Sequence, residues 1–206
     1  MTATSRKEKA AETEAALKAA AKRVFARKGY LNTKITDITA EAGRAAGSFY
    51  NHFAGKEELL EALLADLAAY SDESAEADGH KSDFTDPDAV RWHVSVYWRF
   101  YRENASTMQA LHQAAMVSDE FARTLARFGA EQQSDLTGHL AHIPAAGWRL
   151  PARPELSIVM LYQLVDSFAQ MWLLDPAPEG WTPPTDEEAV EGLTRFVYRG
   201  LTGKDY

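Results

Sequence analysis

Cysteine is absent from the 206-residue chain, which excludes disulfides, thiolate metal sites and cysteine nucleophiles and fits a reducing, cytoplasmic setting. Also missing are a Gly-rich phosphate loop, a Glu-x-x-His pair and a nucleophile elbow, so no enzyme is expected; only scattered His and Asp could serve one. Alternating β-branched runs and hairpin turns between apolar strands are scarce, which leaves helices to build the fold. The opening MTATSRKEKA carries no apolar leader, and the longest run without strongly polar residues falls short of the ~20 residues needed to cross a bilayer. A soluble protein with no membrane partner is expected. No internal repeat or low-complexity tract is present, and 46% hydrophobic residues give ample material for a core.

The charge is uneven. Residues 1–56 hold 11 Lys+Arg against 5 Asp+Glu, a net of +6; the remainder holds 11 against 25, a net of −14, and together they give the −8 of the whole chain. A pI of about 5.3 argues against nucleic acid, but the asymmetry reverses that inference for the leading end. The acidic remainder is repelled by phosphate and disfavours docking in the wrong orientation.

Inside the basic end, residues 33–53 read TKITDITAEAGRAAGSFYNHF. Ile35, Ile38 and Ala42 are at helical spacing, Thr33 offers an oxygen to cap the first free amides, and Gly43 supplies the left-handed turn that ends the helix. A second helix is expected from Arg44 or Ala45 to Phe53, with Phe49 and Phe53 inward and Ser48, Tyr50, Asn51 and His52 on other faces. That is a helix-turn-helix with groups suited to phosphates and base edges. Arg44, Ser48 and Asn51 are the candidates for base edges, and Tyr50, His52 and Lys56 for phosphates. Thr33 is expected to touch the DNA backbone; Ala45 and Gly47 complete the DNA-facing set. Lys56 also begins a fresh helix with Glu57 and Glu58 in its first turn, as the helix dipole prefers. Arg6, Lys7 and Lys9 are expected to form a disordered basic arm.

At Thr33, Ile38, Ala42-Gly43, Gly47-Ser48-Phe49-Tyr50, Phe53 and Lys56-Glu57-Glu58-Leu59 the chain resembles the TetR family of transcriptional regulators. Arg44 and Thr39 depart from the family pattern, which usually has an apolar and a small residue there. The resemblance implies a three-helix DNA-binding head, a larger helical bundle with a ligand cavity between its middle helices, and dimerisation through the last two long helices.

The rest of the chain is also helical in pattern. Helices are expected over residues 13–29, from Lys56 past Leu67 toward Tyr70, and over 88–104, 106–117, 119–142, 155–174 and 186–201, which with the two of the helix-turn-helix makes nine, with a loop from Asp78 to Pro87. The last follows Thr185-x-x-Glu188, a capping box. The expected fold is all-α: a helix-turn-helix domain over residues 1–55 and a ligand-binding and dimerisation domain over 56–206.

The segment from Glu155 bears two apolar stripes, one able to face its own core and the other a partner. Val159, Leu164 and Met171, with Leu193, Phe196 and Val197 on the final helix, are the candidate homodimer interface; intrachain core is the alternative. All five tryptophans lie outside the head. Trp92, Met108, Leu111, Phe121, Leu125, Tyr162, Asp166 and Trp172 are placed near a cavity for a small, largely apolar effector, although an aromatic stripe is also what a packed core looks like. Asp166 either reads the effector or bonds Arg99 or a tyrosine within the core. His139 and His142, three residues apart, have no third ligand at helical spacing and are read as solvated, with no metal and no cofactor.

Together with the resemblance, these features lead to the expectation of a repressor released from a palindromic double-stranded DNA operator by its effector. A helical adaptor with a degenerate DNA-binding head is the alternative.

Overall fold

Ser5 accepts a hydrogen bond from the Glu8 amide while the Glu8 carboxylate accepts one from the Ser5 amide, a reciprocal cap that opens the first helix. In the computed structural model, which describes residues 5–75, 80–175, 177 and 179–206, this helix α1 spans Arg6–Lys28. Arg6, Lys7 and Lys9 therefore lie in its first turns and do not form a disordered arm; Ser5-x-x-Glu8 holds them there. All regular structure among the described residues is helical.

Helix α2 spans Ile35–Glu41, α3 Ala46–Phe49 and α4 Lys56–Ala75. After them come α5 (Pro87–Glu103), α6 (Ala105–Ala115) and α7 (Asp119–Thr137). A 3₁₀ turn over Gly138–Ala141 leads into the single-turn α8 (His142–Ala145), and α9 (Pro154–Leu173) and α10 (Asp186–Thr202) complete the order. The helix expected to run to residue 142 stops at Thr137, where Gly138 weakens it and Pro144, lacking an amide proton, prevents its continuation. Of the loop expected from Asp78 to Pro87, Asp78 and Gly79 lie outside the described residues, and Pro87 is the first residue of α5.

The described chain forms two compact units: Met1–Ser71 with Ser106–Leu125, and Asp72–Ala105 with Ala126–Tyr206. In the first, Leu17, Ala20, Ala21, Val24 and Phe25 of α1 meet a core that includes Ile38, Phe49, Phe53, Leu59, Leu60 and Leu63, all buried. Full burial of each large aliphatic or aromatic group contributes about 1.5–3 kcal/mol, which is enough to hold the short α2 and α3 in place. Helix α6 belongs to this unit: the Gln113 side-chain oxygen accepts from the Tyr30 amide at 2.7 Å, and the Ser118 hydroxyl donates to Glu57 at 2.9 Å.

In the second unit α5 packs on α9 and α10. Val94, Trp98 and Tyr101 of α5 are buried, as are Leu193, Val197, Tyr198 and Leu201 of α10. Polar ties fix the register: Trp98 Nε1 donates to Asp186 at 2.7 Å, Arg91 pairs with Glu191, and the Tyr198 hydroxyl donates to the Thr85 carbonyl at 2.9 Å. The Thr185–Glu188 capping box expected from the sequence opens α10.

Candidate nucleic-acid interface

The turn between α2 and α3 depends on Gly43, whose φ of +63° lies in the left-handed region that glycine occupies without a Cβ penalty. Its amide donates to the Ala40 carbonyl at 3.1 Å, and the Arg44 amide closes the turn on Thr39 at 2.9 Å. Helix α3 is shorter than expected, with Ala45 as its N-cap residue and regular structure ending at Phe49. The Phe53 amide still reaches the Phe49 carbonyl at 3.0 Å, so Tyr50–His52 follow as a turn. Phe49 and Phe53 are buried and 5.6 Å apart between ring centroids, anchoring this segment to the core as the spacing predicts.

That anchoring leaves one side outward. Ala45, Gly47, Tyr50 and Asn51 are exposed, Tyr50 by 60%, and a side chain at Gly47 would meet no atom within 4 Å. Ser48 is half-buried and donates to the Ala45 carbonyl at 2.7 Å. His52 is half-buried, with Nδ1 4.0 Å from Glu14. Arg44 pairs with Glu12 at 3.2 Å, and its Nε is buried with no hydrogen-bond partner among the described residues.

Two expected contacts take other roles. The Thr33 side chain is buried, and its hydroxyl donates to the Gly29 carbonyl at 2.7 Å; the N-cap residue of α2 is Lys34, whose amide donates to Asp37 at 3.0 Å. Thr33 thus closes the end of α1 and does not cap α2. The Lys56 ammonium donates to the Tyr30 carbonyl at 2.8 Å and the Thr33 carbonyl at 3.2 Å, and lies 4.2 Å from the Tyr30 ring centroid. Burial holds its pKa below the ordinary lysine value. Lys56 is therefore a clip between α4 and the α1–α2 loop, where the sequence suggested a phosphate anchor. A cation placed beside two carbonyls had no signal in sequence spacing.

The five carboxylates of residues 1–56 are all engaged within the head: Glu8 at its cap, Glu12 with Arg44, Glu14 with Lys18, Asp37 with Lys28, and Glu41 with Arg23 and Arg27. Hydrogen bonds from Arg23 and Arg27 lower the Glu41 pKa, and those from Lys28 and the Lys34 amide lower that of Asp37. Exposed pairs of this kind contribute little stability, but they keep the acids from projecting alone toward a phosphate backbone. Lys34 is exposed at the start of α2, a cation the motif reading passed over because the helix was expected to begin one residue earlier.

The residues expected around an effector fall into two groups. Leu111 and Phe121 are fully buried in the first unit, where Met108 and Leu125 are half-buried. Trp92, Tyr162, Asp166 and Trp172 belong to the second unit. There the Tyr97 hydroxyl donates to Asp166 at 2.6 Å and lies 3.4 Å from the Tyr162 hydroxyl, so Asp166 has the tyrosine partner weighed from the sequence. Burial raises the pKa of Tyr97 and of Tyr162 above the ordinary value. Trp172 packs between Phe168 and Trp181.

Of the expected pairing residues, Phe196 and Val159 are exposed, by 69% and 38%, together with Leu156 and Met160. Leu164 and Met171 are half-buried. Leu193 and Val197 are 4% exposed and face their own core, because α10 turns them toward α5 and α9; they have almost no surface left for a partner. A groove of about 500 Å³ beside Phe196 is lined by Arg195, Arg199 and Tyr206. Helix α9, with a mean hydropathy of 1.2 in its most apolar window, is by length and composition apolar enough to cross a membrane, which the count of unbroken apolar residues did not suggest. His142 is exposed as expected, but His139 is half-buried and stands beside His80 and His93.

A helix-turn-helix whose second element is anchored by aromatics and open on its outer side, set in a basic end of the chain, defines a DNA-binding regulator. Residues 17–63 match the family described as "Bacterial regulatory proteins, tetR family". The HTH-type transcriptional regulator TtgR of Pseudomonas putida is 28% identical over 179 residues, covering 82% of this chain and 84% of that protein. Among solved structures, FadR of Bacillus subtilis in complex with stearoyl-CoA aligns with a TM-score of 0.73 at 17% identity, covering 90% of this chain and 98% of that one. A TetR-family regulator from Syntrophomonas wolfei aligns at 0.72 with 20% identity, over 91% and 94% of the two chains. Residues 17–63 thus carry a TetR-family DNA-binding region, and over most of its length the chain resembles TetR-family transcriptional regulators.

Proposed function

We propose that the protein is a ligand-controlled repressor acting as a cytoplasmic homodimer. Two heads would insert the α3 segment into successive major grooves of a near-palindromic site about one helical turn apart. The observation that carries this reading is the outward set Ala45, Gly47, Tyr50 and Asn51 on a turn fixed by Phe49 and Phe53. Asn51 and Arg44 are suited to bidentate base contacts and Ser48 to a single one, Tyr50 and His52 to phosphates, and Gly47 to close approach by the duplex.

The exposed apolar surface of Val159, Met160 and Phe196 supports pairing of two copies through α9 and α10. Control of the head would come through α6. It shares a compact unit with the DNA-reading helices, and its Gln113 holds the backbone at Tyr30, so a ligand that binds two positions of α6 unequally would bias the head. The stearoyl-CoA bound to FadR shows that a related fold holds an acyl-bearing ligand, and the aromatic groups Trp92, Tyr162 and Trp172 suit a largely apolar effector here, with Asp166 as its polar reader once Tyr97 yields.

Binding to mixed genomic fragments across a salt series tests the reading. Affinity for a selected subset of fragments, falling steeply with salt, is expected, as is its loss in a Tyr50→Ala/Asn51→Ala variant that keeps its melting temperature. Salt-independent binding, or no fragment preferred, would favour the adaptor.

A further inference from the structure

Three histidines distant in sequence converge in the second unit. His80 precedes α5, His93 lies within it, and His139 sits on the 3₁₀ turn after α7. Their ring centroids are 5.2 Å (His80–His93), 5.1 Å (His80–His139) and 4.9 Å (His93–His139) apart, a nearly equilateral triangle. One nitrogen from each ring lies within 4.8 Å of the others, and the Nε2 atoms of His80 and His139 are 3.0 Å apart. We propose that His80, His93 and His139 form a binding site for a divalent late first-row transition metal such as Zn²⁺.

The spacing suits such an ion. At a metal–nitrogen distance of about 2.0–2.1 Å, tetrahedral geometry puts ligand nitrogens about 3.3 Å apart and imidazole centroids about 5 Å apart. The three observed centroid distances already match; the His80–His139 nitrogens, 3.0 Å apart, need to part by a few tenths of an ångström, and the other nitrogen pairs, within 4.8 Å, close on the ion by ring rotation.

A second, independent feature is the orientation of His93. Its Nδ1 lies 2.8 Å from the Ala89 carbonyl. A carbonyl can only accept, so Nδ1 carries the proton and Nε2 is left with a lone pair. A backbone bond that fixes the tautomer in this way is the usual outer support of a metal-bound imidazole. Phe84, buried, packs edge-on to His93 and tilted on His139, and Trp92 packs against His80 and His93, so the rings are confined as well as close.

The donor set selects the class of ion. Three neutral imidazoles, with no carboxylate joining them among the described residues, suit Zn²⁺, Co²⁺, Ni²⁺ or Cu²⁺ better than Mg²⁺ or Ca²⁺, which take oxygen ligands. Three protein ligands leave a fourth position for water or for an anionic group of a bound molecule. Because the ligands come from three separate segments, the ion would tie together the chain before α5, α5 itself and the turn after α7, and so stabilise the second unit. The inference does not depend on what the head binds.

The test uses the full chain after chelator treatment, titrated with Zn²⁺ by calorimetry and with Co²⁺ by visible absorption. One ion per chain is expected, with Co²⁺ giving the strong absorption of a four-coordinate nitrogen site and Zn²⁺ raising the melting temperature. His93→Ala and, should that variant not fold, the exposed His80→Ala should weaken binding about 100-fold or more and abolish the thermal shift. His142→Ala, which changes a histidine outside the triangle, should behave as the parent. Failure of the parent to bind either ion more tightly than the His80→Ala variant does, with no thermal shift, would overturn the proposal and leave a hydrogen-bonded cluster of aromatic rings.

Discussion

The Lys56 ammonium donates to the Tyr30 carbonyl at 2.8 Å while lying over the same residue's ring, joining the start of α4 to the loop between α1 and α2. This cation holds the reading helices in register from behind. Replacement by Met keeps the aliphatic stem but removes one donor from each of two carbonyls, leaving that of Tyr30 with the Thr33 amide alone. A loss of about 1–3 kcal/mol in stability is expected, read as a lower denaturation midpoint. The salt dependence of DNA binding should keep its slope; a Lys56 bound to phosphate would lower that slope by about 1.

Tyr50 and Asn51 should behave in the opposite way. Both are exposed, so alanine at either position should change stability by no more than about 0.5 kcal/mol. Asn51→Ala should weaken binding to the preferred sequence by about 1–3 kcal/mol and relax the base preference at one position, measured by titrating single-substituted duplexes. Tyr50→Ala should weaken binding to all sequences alike.

Asp166 depends on Tyr97. In Tyr97→Phe the carboxylate loses its 2.6 Å donor in a half-buried setting, which should cost about 1–3 kcal/mol in chemical denaturation. The same tyrosines govern alkaline behaviour. Burial raises the folded-state pKa of Tyr97 and Tyr162 above the ordinary 10.0, so their contribution to stability is complete below pH 10.0 and is lost as pH rises toward the raised values. The melting temperature should therefore fall steeply above pH 10.0, and less steeply in Tyr97→Phe.

Phe196 should decide pairing. Burial of a large apolar side chain contributes about 1.5–3 kcal/mol, and two-fold symmetry counts it twice, so Phe196→Glu should weaken self-association about 100-fold or more in sedimentation experiments. Leu193→Ala should instead lower the stability of the protomer, since that side chain is already in the core.

The sequence made the helix-turn-helix readable because each part of it is local. Gly43 stands where a left-handed residue is needed, Phe49 and Phe53 share a face at i, i+4, and what remains points outward. Helical periodicity also located α5, α9 and α10 to within a residue or two. It could not tell which of two apolar faces is covered by the same chain, which is why Leu193 and Val197 were grouped with Phe196. Nor could it find contacts between distant segments: Lys56 with the Tyr30 carbonyl, Gln113 with the Tyr30 amide, and His80 with His93 and His139. The Ser5–Glu8 cap is local and legible, and it orders Arg6, Lys7 and Lys9, whose charge alone suggests a disordered arm.

The most direct measurement is selection of binding sequences by the purified protein from a pool of random duplexes at low ionic strength. Enrichment of a near-palindromic sequence with half-sites about one helical turn apart is expected, with none recovered by Tyr50→Ala/Asn51→Ala. A pool that emerges unenriched from the parent protein would contradict DNA reading by this chain.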